Sequence, residues 1–383
     1  MTNVIVIGLG AMGSSAAQQL AERGHRVLGF DLFTPPHNNG SSHGQTRIIR
    51  QAYWEDWRYV PLLLRSYELW RRLEADSGHS LLQITGCLAI GHPDGDLVSR
   101  SEQSARKFEL PHEMLSSAQI RHRYPAFAVR DEMVGHWEKN AGYLLVEACV
   151  RAQLERAAVA GAELHCDEPV VEWSATPGGG VSVRTAKAHY SADRLVICAG
   201  AWAAQVLDSL QLPLKVTRQV AYWFEPRCGI DIFERGRMPV YLWEAEAGER
   251  MLYGFPLVGP PSEGVKVAIH GSDEICTPDT VVRQIRPSDE LAIRERLAGT
   301  LPLLAGRLLR AETCLYTMTP DEHFVIDSHP KCPQVTLAAG FSGHGFKFAS
   351  VMGEVLGDLA LGLTPAYDLA LFSLQRLQDR SPT

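Results

Sequence analysis

A cysteine, Cys314, stands in the run Thr313-Cys314-Leu315-Tyr316-Thr317, which leads on to Thr319-Pro320-Asp321 and Phe324-Val325-Ile326-Asp327. A thiolate adds to the ring methyl of an oxidised flavin, whose protons are acidic enough to leave. The resulting thioether anchors the cofactor and makes it a stronger oxidant. Taken alone, such a cysteine reads as a small buried hydrophobe. The opposite end of the chain changes that reading, because it carries a dinucleotide-binding fingerprint.

Three other groupings have the residue types for chemistry. Gly40-Ser41-Ser42-His43-Gly44-Gln45-Thr46-Arg47-Ile48-Ile49-Arg50 sets a histidine and two arginines within eight residues. If the segment is helical, Arg47 and Arg50 share a face, and a guanidinium offers the planar fork of donors that suits a carboxylate. The alternative is an Arg-rich exposed turn. In Gly264-Val265-Lys266-Val267-Ala268-Ile269-His270, strand alternation aims Lys266, Ala268 and His270 to one side. That side is either a solvated outer face or, near a flavin, a place where a fixed cation stabilises the superoxide formed by one-electron transfer to oxygen. Lys347 falls in the first turn of the last long helix, where the dipole disfavours a cation. A bound anion, either a reduced flavin ring or a substrate carboxylate, reconciles it with that position.

These side chains need a scaffold. Val4-Ile5-Val6-Ile7 predicts a buried parallel strand, Gly8-Leu9-Gly10-Ala11-Met12-Gly13 follows it, and Ser14 to Arg23 reads as a helix. In this order Gly8 makes the tight turn, Gly10 lets the backbone approach a pyrophosphate, and Gly13 lets helix and strand pack closely. The phosphate meets the helix N-terminus. A second strand, Arg26 to Phe30, ends on Asp31, placed to take the ribose hydroxyls. Arg194 to Trp202 and Val335 to Gly340 read as further strands of the same sheet, each running into a glycine turn. After the second come Phe341-Ser342-Gly343-His344-Gly345 and a helix with apolar residues at Phe348, Val351, Met352, Val355, Leu356 and Leu359. Ligands of open α/β sheets bind beyond such carboxyl ends of strands.

The expected architecture is α/β: a discontinuous, Rossmann-like dinucleotide-binding domain from residues 1–80, 145–215 and 311–383, and a substrate domain from 81–144 and 216–310. The second carries the runs Gln219 to Phe224, Pro239 to Trp243 and Met251 to Phe255, which read as strands of a mixed or antiparallel sheet with helices. Tyr241, Trp243 and Met251 are candidates to border its cavity. With 45% hydrophobic residues the chain of 383 can bury a large core. A net charge of −7 without Lys or Arg runs argues against nucleic acid or an anionic membrane as main partner. No stretch approaches a membrane span and the first strand begins close to Met1, so a cytoplasmic location is expected. Eight scattered cysteines without a C-x-x-C pattern indicate neither zinc nor a disulfide framework, and all but Cys314, Cys228 included, read as ordinary thiols.

The segments at 40–50, 253–256 (Tyr-Gly-Phe-Pro), 266–270, 314–327 and 340–350 together resemble the monomeric sarcosine oxidase and N-methyltryptophan oxidase family, in order and over nearly the whole chain. The resemblance implies FAD attached through Cys314, a monomer, and oxidation of the C–N bond of a secondary amino acid to an imine with O2 reduced to H2O2. It assigns oxygen activation to Lys266 and places His43 and Arg47 beside the ring. Arg50 and Lys347 take the substrate carboxylate, while Tyr253, Tyr316 and His270 line the substrate cavity, with His270 counted in the catalytic group. Gly8, Gly10, Gly13, Asp31, Ser42, Gly343, Gly345 and Lys347 fall to the cofactor. Gln45 and Gln51 depart from the acid and the histidine common in that segment, which alters charge near the cofactor. Other readings are a flavin enzyme that passes electrons to a carrier, an oxidase of cyclic imino acids such as pipecolate or proline, a non-catalytic flavin module, and an NAD(P)-dependent hydroxyacid dehydrogenase with a similar glycine loop. The last has no use for Cys314 or the junction at Gly343 to Lys347.

Overall fold

The computed structural model describes residues 1–227, 229–244 and 249–378, so Cys228 lies outside the described residues. The apolar runs read as strands assemble into one six-stranded sheet in the order Val325–His329, Cys332–Ala339, Arg194–Ile197, Asn3–Ile7, Arg26–Phe30, Glu163–His165. All its pairings are parallel except that of the edge strand Val325–His329. Helices Ala11–Glu22, Val146–Val159 and Ala349–Ala360 cover one face and the small sheet of Val170–Ala175, Val181–Thr185 and His189–Ala192 covers the other, which explains why the inner strands are apolar on both faces. Helix Ala11–Glu22 is buried nearly all round because its small residues admit close neighbours. Ser14 Oγ donates to Gln153 Oε1 at 2.8 Å and Ser15 Oγ to the Ser350 carbonyl at 3.3 Å.

A nine-stranded mixed sheet forms the second layer. Its long strand Lys215–Phe224 pairs on one side with Leu308–Met318 and on the other with Val265–Ile269 and Ile275–Cys276. Beyond them run Leu252–Gly254, Val240–Trp243, Cys87–Gly91, Val134–Glu138 and His112–Ser116, with Val240–Trp243 and Cys87–Gly91 the one parallel pair. The register sets Gln219 opposite Cys314 and Trp223 opposite Lys266. Cys314 and Lys266 therefore stand on the two strands flanking one central strand. A small antiparallel sheet of Thr46–Ile49, Gly142–Leu145 and Leu82–Ile84 lies between the two large ones in the chain's path.

The fold decides three local readings. The segment holding Arg47 and Arg50 is extended over Thr46–Ile49 and not helical, because Ile48 and Ile49 pair with Tyr143 and Gly142 and the β-branched residues favour that pleat. It is no exposed turn either, since Arg50 is buried. The face of Val265–Ile269 that bears Lys266 is interior: Lys266 is 2% exposed. Tyr241 and Trp243 point away from the cavity into the core around Phe127, while Leu242 between them lines it; the two-residue period sends them to the opposite face. Met251 does reach the cavity wall.

Candidate functional site

One continuous cavity of about 940 Å³ runs from Gly8 and Gly10 past Ser42 and Arg47 to Tyr253 and Lys347. It lies off the carboxyl ends of the parallel strands, as expected for this sheet type. The glycine loop is shaped by contact. Gly8 has φ of 86°, and a Cβ there would meet the Cys198 carbonyl oxygen at 2.4 Å. A Cβ at Gly13 would meet the Gly8 oxygen at 1.7 Å, so the helix can approach the strand only without one. Gly10 has no such neighbour closer than Ser42 Oγ at 3.5 Å and faces the cavity. Asp31 ends the second strand at the wall, its carboxylate accepting from the N–H groups of Leu9 at 2.7 Å and Phe33 at 2.9 Å.

Cys314 shares a strand face with Tyr316, which lines the cavity, and its own sulfur is buried against the carbonyls of Gly40 and Ser41. Arg47 Nη2 donates to Sγ at 3.5 Å and to the Ser41 carbonyl at 2.9 Å, and Ser41 Oγ donates to the Leu315 carbonyl at 2.6 Å. Burial works against a thiolate here, yet His43 and Arg47 outweigh it and lower the Cys314 pKa to about 7. Cys87 and Cys198, by contrast, are pushed up to about 12 by burial alone or nearly so, and Cys149, Cys166 and Cys276 also rise. Burial likewise opposes charge on His43, but the Cys314 sulfur and the Glu312 carboxylate raise it to about 9, with Glu312 Oε2 3.5 Å from Nδ1. Both neighbours favour the charged form of His43. Lys266 stands behind the Gly44 to Thr46 turn, its Nζ donating to the carbonyls of Gly44 at 2.5 Å and Thr46 at 2.8 Å; burial and Arg47 hold its pKa well below the ordinary lysine range.

At the far end Arg50 and Lys347 both reach the cavity. Arg50 donates to the Ala52 carbonyl at 2.6 Å, pairs with Glu55, and lies over the Tyr53 ring at 4.1 Å. Lys347 donates to the His344 carbonyl at 2.8 Å and to Tyr53 Oη at 3.4 Å. Its own carbonyl is pinned by Ser66 Oγ and Trp70 Nε1 at 2.6 and 3.1 Å. Burial and Arg50 lower its pKa to about 7. His344 Nε2 faces the Glu322 carbonyl at 2.9 Å, an acceptor only, so Nε2 carries the proton and Nδ1 accepts from Tyr53 Oη at 2.5 Å. Burial keeps His344 neutral, with a pKa of about 3. Tyr53 thus spends its proton on His344 and offers Lys347 a lone pair. Tyr253, Tyr316 and His270 converge on the same space, with Tyr316 Oη 3.5 Å from His270 Nδ1, and burial drops His270 to about 4. Gln51 is drawn aside, its side chain accepting from Asn140 at 3.3 Å.

The profile of the family described as FAD dependent oxidoreductase matches residues 3–359. The chain belongs to that family of FAD-dependent oxidoreductases. Among its relatives, monomeric sarcosine oxidase of Streptomyces avermitilis is 47% identical over 376 residues, covering 98% of this chain and 97% of the relative. N-methyl-L-tryptophan oxidase of Yersinia pestis is 34% identical over 381 residues, covering 98% and 99%. The fold is that of solved flavoprotein oxidases: NikD, an amino acid oxidase of nikkomycin biosynthesis, superposes with a TM-score of 0.84 at 24% identity, covering 97% of this chain and 98% of NikD.

FAD suits the residues of this oxidoreductase. The cavity has the size of a large ligand site, and Gly10 opens onto it without a Cβ. Among the described residues no group of three or more His, Cys, Asp or Glu is arranged to hold a metal, and no helix is long and apolar enough to cross a membrane. Sequence reasoning missed Tyr53, Glu55, Glu312 and Glu147. Glu55, five residues after Arg50, could have been found as an acid within reach of a singled-out arginine. Glu147, which accepts the Gly44 N–H at 2.7 Å, left no local signal.

The Cys314 thiol can be titrated directly. Iodoacetamide alkylation of the FAD-free protein, followed by peptide mass spectrometry, should label Cys314 with a midpoint near pH 7, the thiolate forming above it. Arg47→Met should move that midpoint upward, because the guanidinium favours the anion.

Proposed function

We propose that this oxidoreductase is an oxidase of small secondary amino acids, of the sarcosine or N-methyl amino acid type, that uses O2 and carries FAD on Cys314. The observation that carries this reading is the buried Arg50 guanidinium beside the buried Lys347 amino group, in the cavity that also reaches Gly10 and the neighbours of Cys314, namely Ser41, Arg47, Leu315 and Tyr316. Bound FAD supplies a two-electron acceptor. The amine loses the hydrogen on nitrogen and one on the adjacent carbon to become an imine, and the two electrons and two protons end on O2 as H2O2. Water then converts the imine to a carbonyl compound and an amine.

The chain's own groups have distinct parts in this proposal. Arg50 and Lys347 receive the carboxylate, which takes over from Glu55 as the partner of Arg50. Tyr253, Tyr316 and a neutral His270 enclose the amine, and a neutral imidazole adds no further positive charge to repel an ammonium substrate. His43 and Arg47 place positive charge beside the ring. Lys266 is the cation for oxygen. Gly8, Gly10, Gly13, Asp31, Ser42, Gly343 and Gly345 hold the cofactor, with the helix N-terminus at Ala11 toward its phosphates. The names of the relatives support the substrate class and the monomer, and a cytoplasmic location belongs to the same proposal. The two large sheets support dividing the chain into nucleotide-binding segments 1–80, 145–215 and 311–383 and substrate segments 81–144 and 216–310, with Leu308–Met318 crossing that division by pairing with Lys215–Phe224.

A peroxide-coupled screen of sarcosine, N-methyl-L-tryptophan, pipecolate and proline tests the substrate class. After acid precipitation the yellow chromophore should stay with the protein, and Cys314→Ala should release it. Free FAD in the supernatant of the unaltered protein would exclude the thioether. Arg50→Ala should lower kcat/KM for the acid by about 30-fold or more, from the roughly 2–5 kcal/mol lost when one partner of a buried charge pair is removed. The decarboxylated amine should be spared, and an unchanged preference for the acid would put carboxylate binding elsewhere. Lys266→Met keeps side-chain length and removes the charge. Anaerobic reduction by substrate should survive in it, while reoxidation by O2 slows by about 100-fold to 1,000-fold; equal slowing of both half-reactions would make Lys266 a structural residue.

A further inference from the structure

Gln45 is the centre of a three-residue turn in which the Thr46 N–H donates to the Gly44 carbonyl at 2.8 Å. Its φ of 71° lies in the left-handed region that glycine enters freely and other residues enter at a cost. The two carbonyls flanking it, those of Gly44 and Thr46, are the acceptors of Lys266 Nζ. Glu147 Oε1 holds the turn from its other side, accepting from the N–H groups of Gly44 at 2.7 Å and Gln45 at 3.1 Å.

The side-chain amide ties this turn to the sheet that carries Lys266. Trp223 Nε1 donates to Gln45 Oε1 at 2.9 Å, and Trp223 is the cross-strand partner of Lys266. Gln45 Nε2 donates to Glu263 Oε2 at 2.8 Å and to the Val258 carbonyl at 3.2 Å, both in the connection that leads into the Lys266 strand. These contacts need an acceptor and a donor on one side chain, which an amide has. A carboxylate could accept from Trp223, but it could not donate to Val258 and would repel Glu263. A backbone cost met at a site held by so many contacts is the pattern expected where position matters.

We propose that Gln45 is a positioning residue for Lys266: its turn aims two carbonyls at the ammonium, and its amide locks that turn to the strand pair bearing Trp223 and Lys266. The inference rests on Lys266 being the oxygen-activating cation. Burial and Arg47 oppose charge on Lys266, while Cys314, Glu147 and Glu312 favour it, and the rings of Phe255 and Trp223 lie 4.8 and 5.3 Å from Nζ. Carbonyl acceptors stabilise the ammonium over the amine. Displacing them therefore moves the Lys266 titration to lower pH.

Gln45→Gly keeps the left-handed turn accessible and deletes the amide, and Trp223→Phe deletes the donor opposite. In rapid mixing with the FAD-loaded enzyme, Gln45→Gly should reduce with sarcosine at the parent rate under anaerobic conditions. Its reoxidation by O2 should slow by roughly 10-fold, the scale of one lost charge-assisted hydrogen bond, and the alkaline fall in reoxidation should begin at lower pH. The effects of Gln45→Gly and Trp223→Phe should be less than additive. Without turnover, the lysine side-chain 15N resonance that Lys266→Met removes should titrate at lower pH in oxidised, substrate-free Gln45→Gly than in the parent. Equal slowing of both half-reactions, or an unmoved Lys266 titration, overturns the proposal. If Lys266→Met reoxidises at the parent rate, the oxygen-activation reading fails instead, and the clamp is still judged by the lysine titration.

Discussion

A cation taken out of water must find acceptors, and the site of this oxidoreductase is organised around that requirement. Desolvating an ammonium or guanidinium costs several kcal/mol even after relaxation, so Lys266, Arg50 and Lys347 each claim backbone carbonyls: Gly44 and Thr46, Ala52, and His344. Arg50 and Lys347 find theirs two and three residues away in the chain, whereas those of Lys266 lie 222 and 220 residues away. The pairing of Lys266 with the Gly44 to Thr46 turn therefore joins the large mixed sheet to the loop that follows the first strands of the six-stranded sheet. The same demand fixes Tyr53 and His344 in one donor direction, since a carbonyl at Glu322 can only accept.

Uneven compensation gives the two ends of the cavity different electrostatics. Near Cys314 the groups His43 and Arg47 outweigh burial, so the thiol is lowered and the charged form of His43 is favoured. Near Lys347 burial and Arg50 win against Glu55, and His270 and His344 are neutral. One end therefore favours an anion and a nucleophilic sulfur. The other offers a guanidinium, and a lysine poised near neutrality, beside uncharged imidazole and phenol groups.

Much of this was legible in the residues. The Gly8, Gly10 and Gly13 spacing, the apolar runs before and after it, and Asp31 led to the strand, turn and helix found, because backbone approach and close helix packing leave no choice of residue at those points. Alternation was legible as a period but not as a direction. Lys266 alternated correctly and proved interior, whereas Tyr241 and Trp243 fell on the face opposite the cavity, with Leu242 toward it. Arg47 and Arg50 are three apart, a spacing that suits a helix, yet pairing with Gly142–Leu145 made their segment a strand.

The sequence by itself determined the strand, glycine turn and helix at the start of the chain, the family and the residue types that meet in the cavity, since local sterics and short-range periodicity act between neighbours in the chain. Only the tertiary structure decided which side of each strand is buried, that Glu55 faces Arg50, that Glu147 and Gln45 fix the turn below Lys266, and which titratable groups are charged. Those outcomes depend on desolvation and on partners brought close by folding, and neither quantity exists until the sheets have packed.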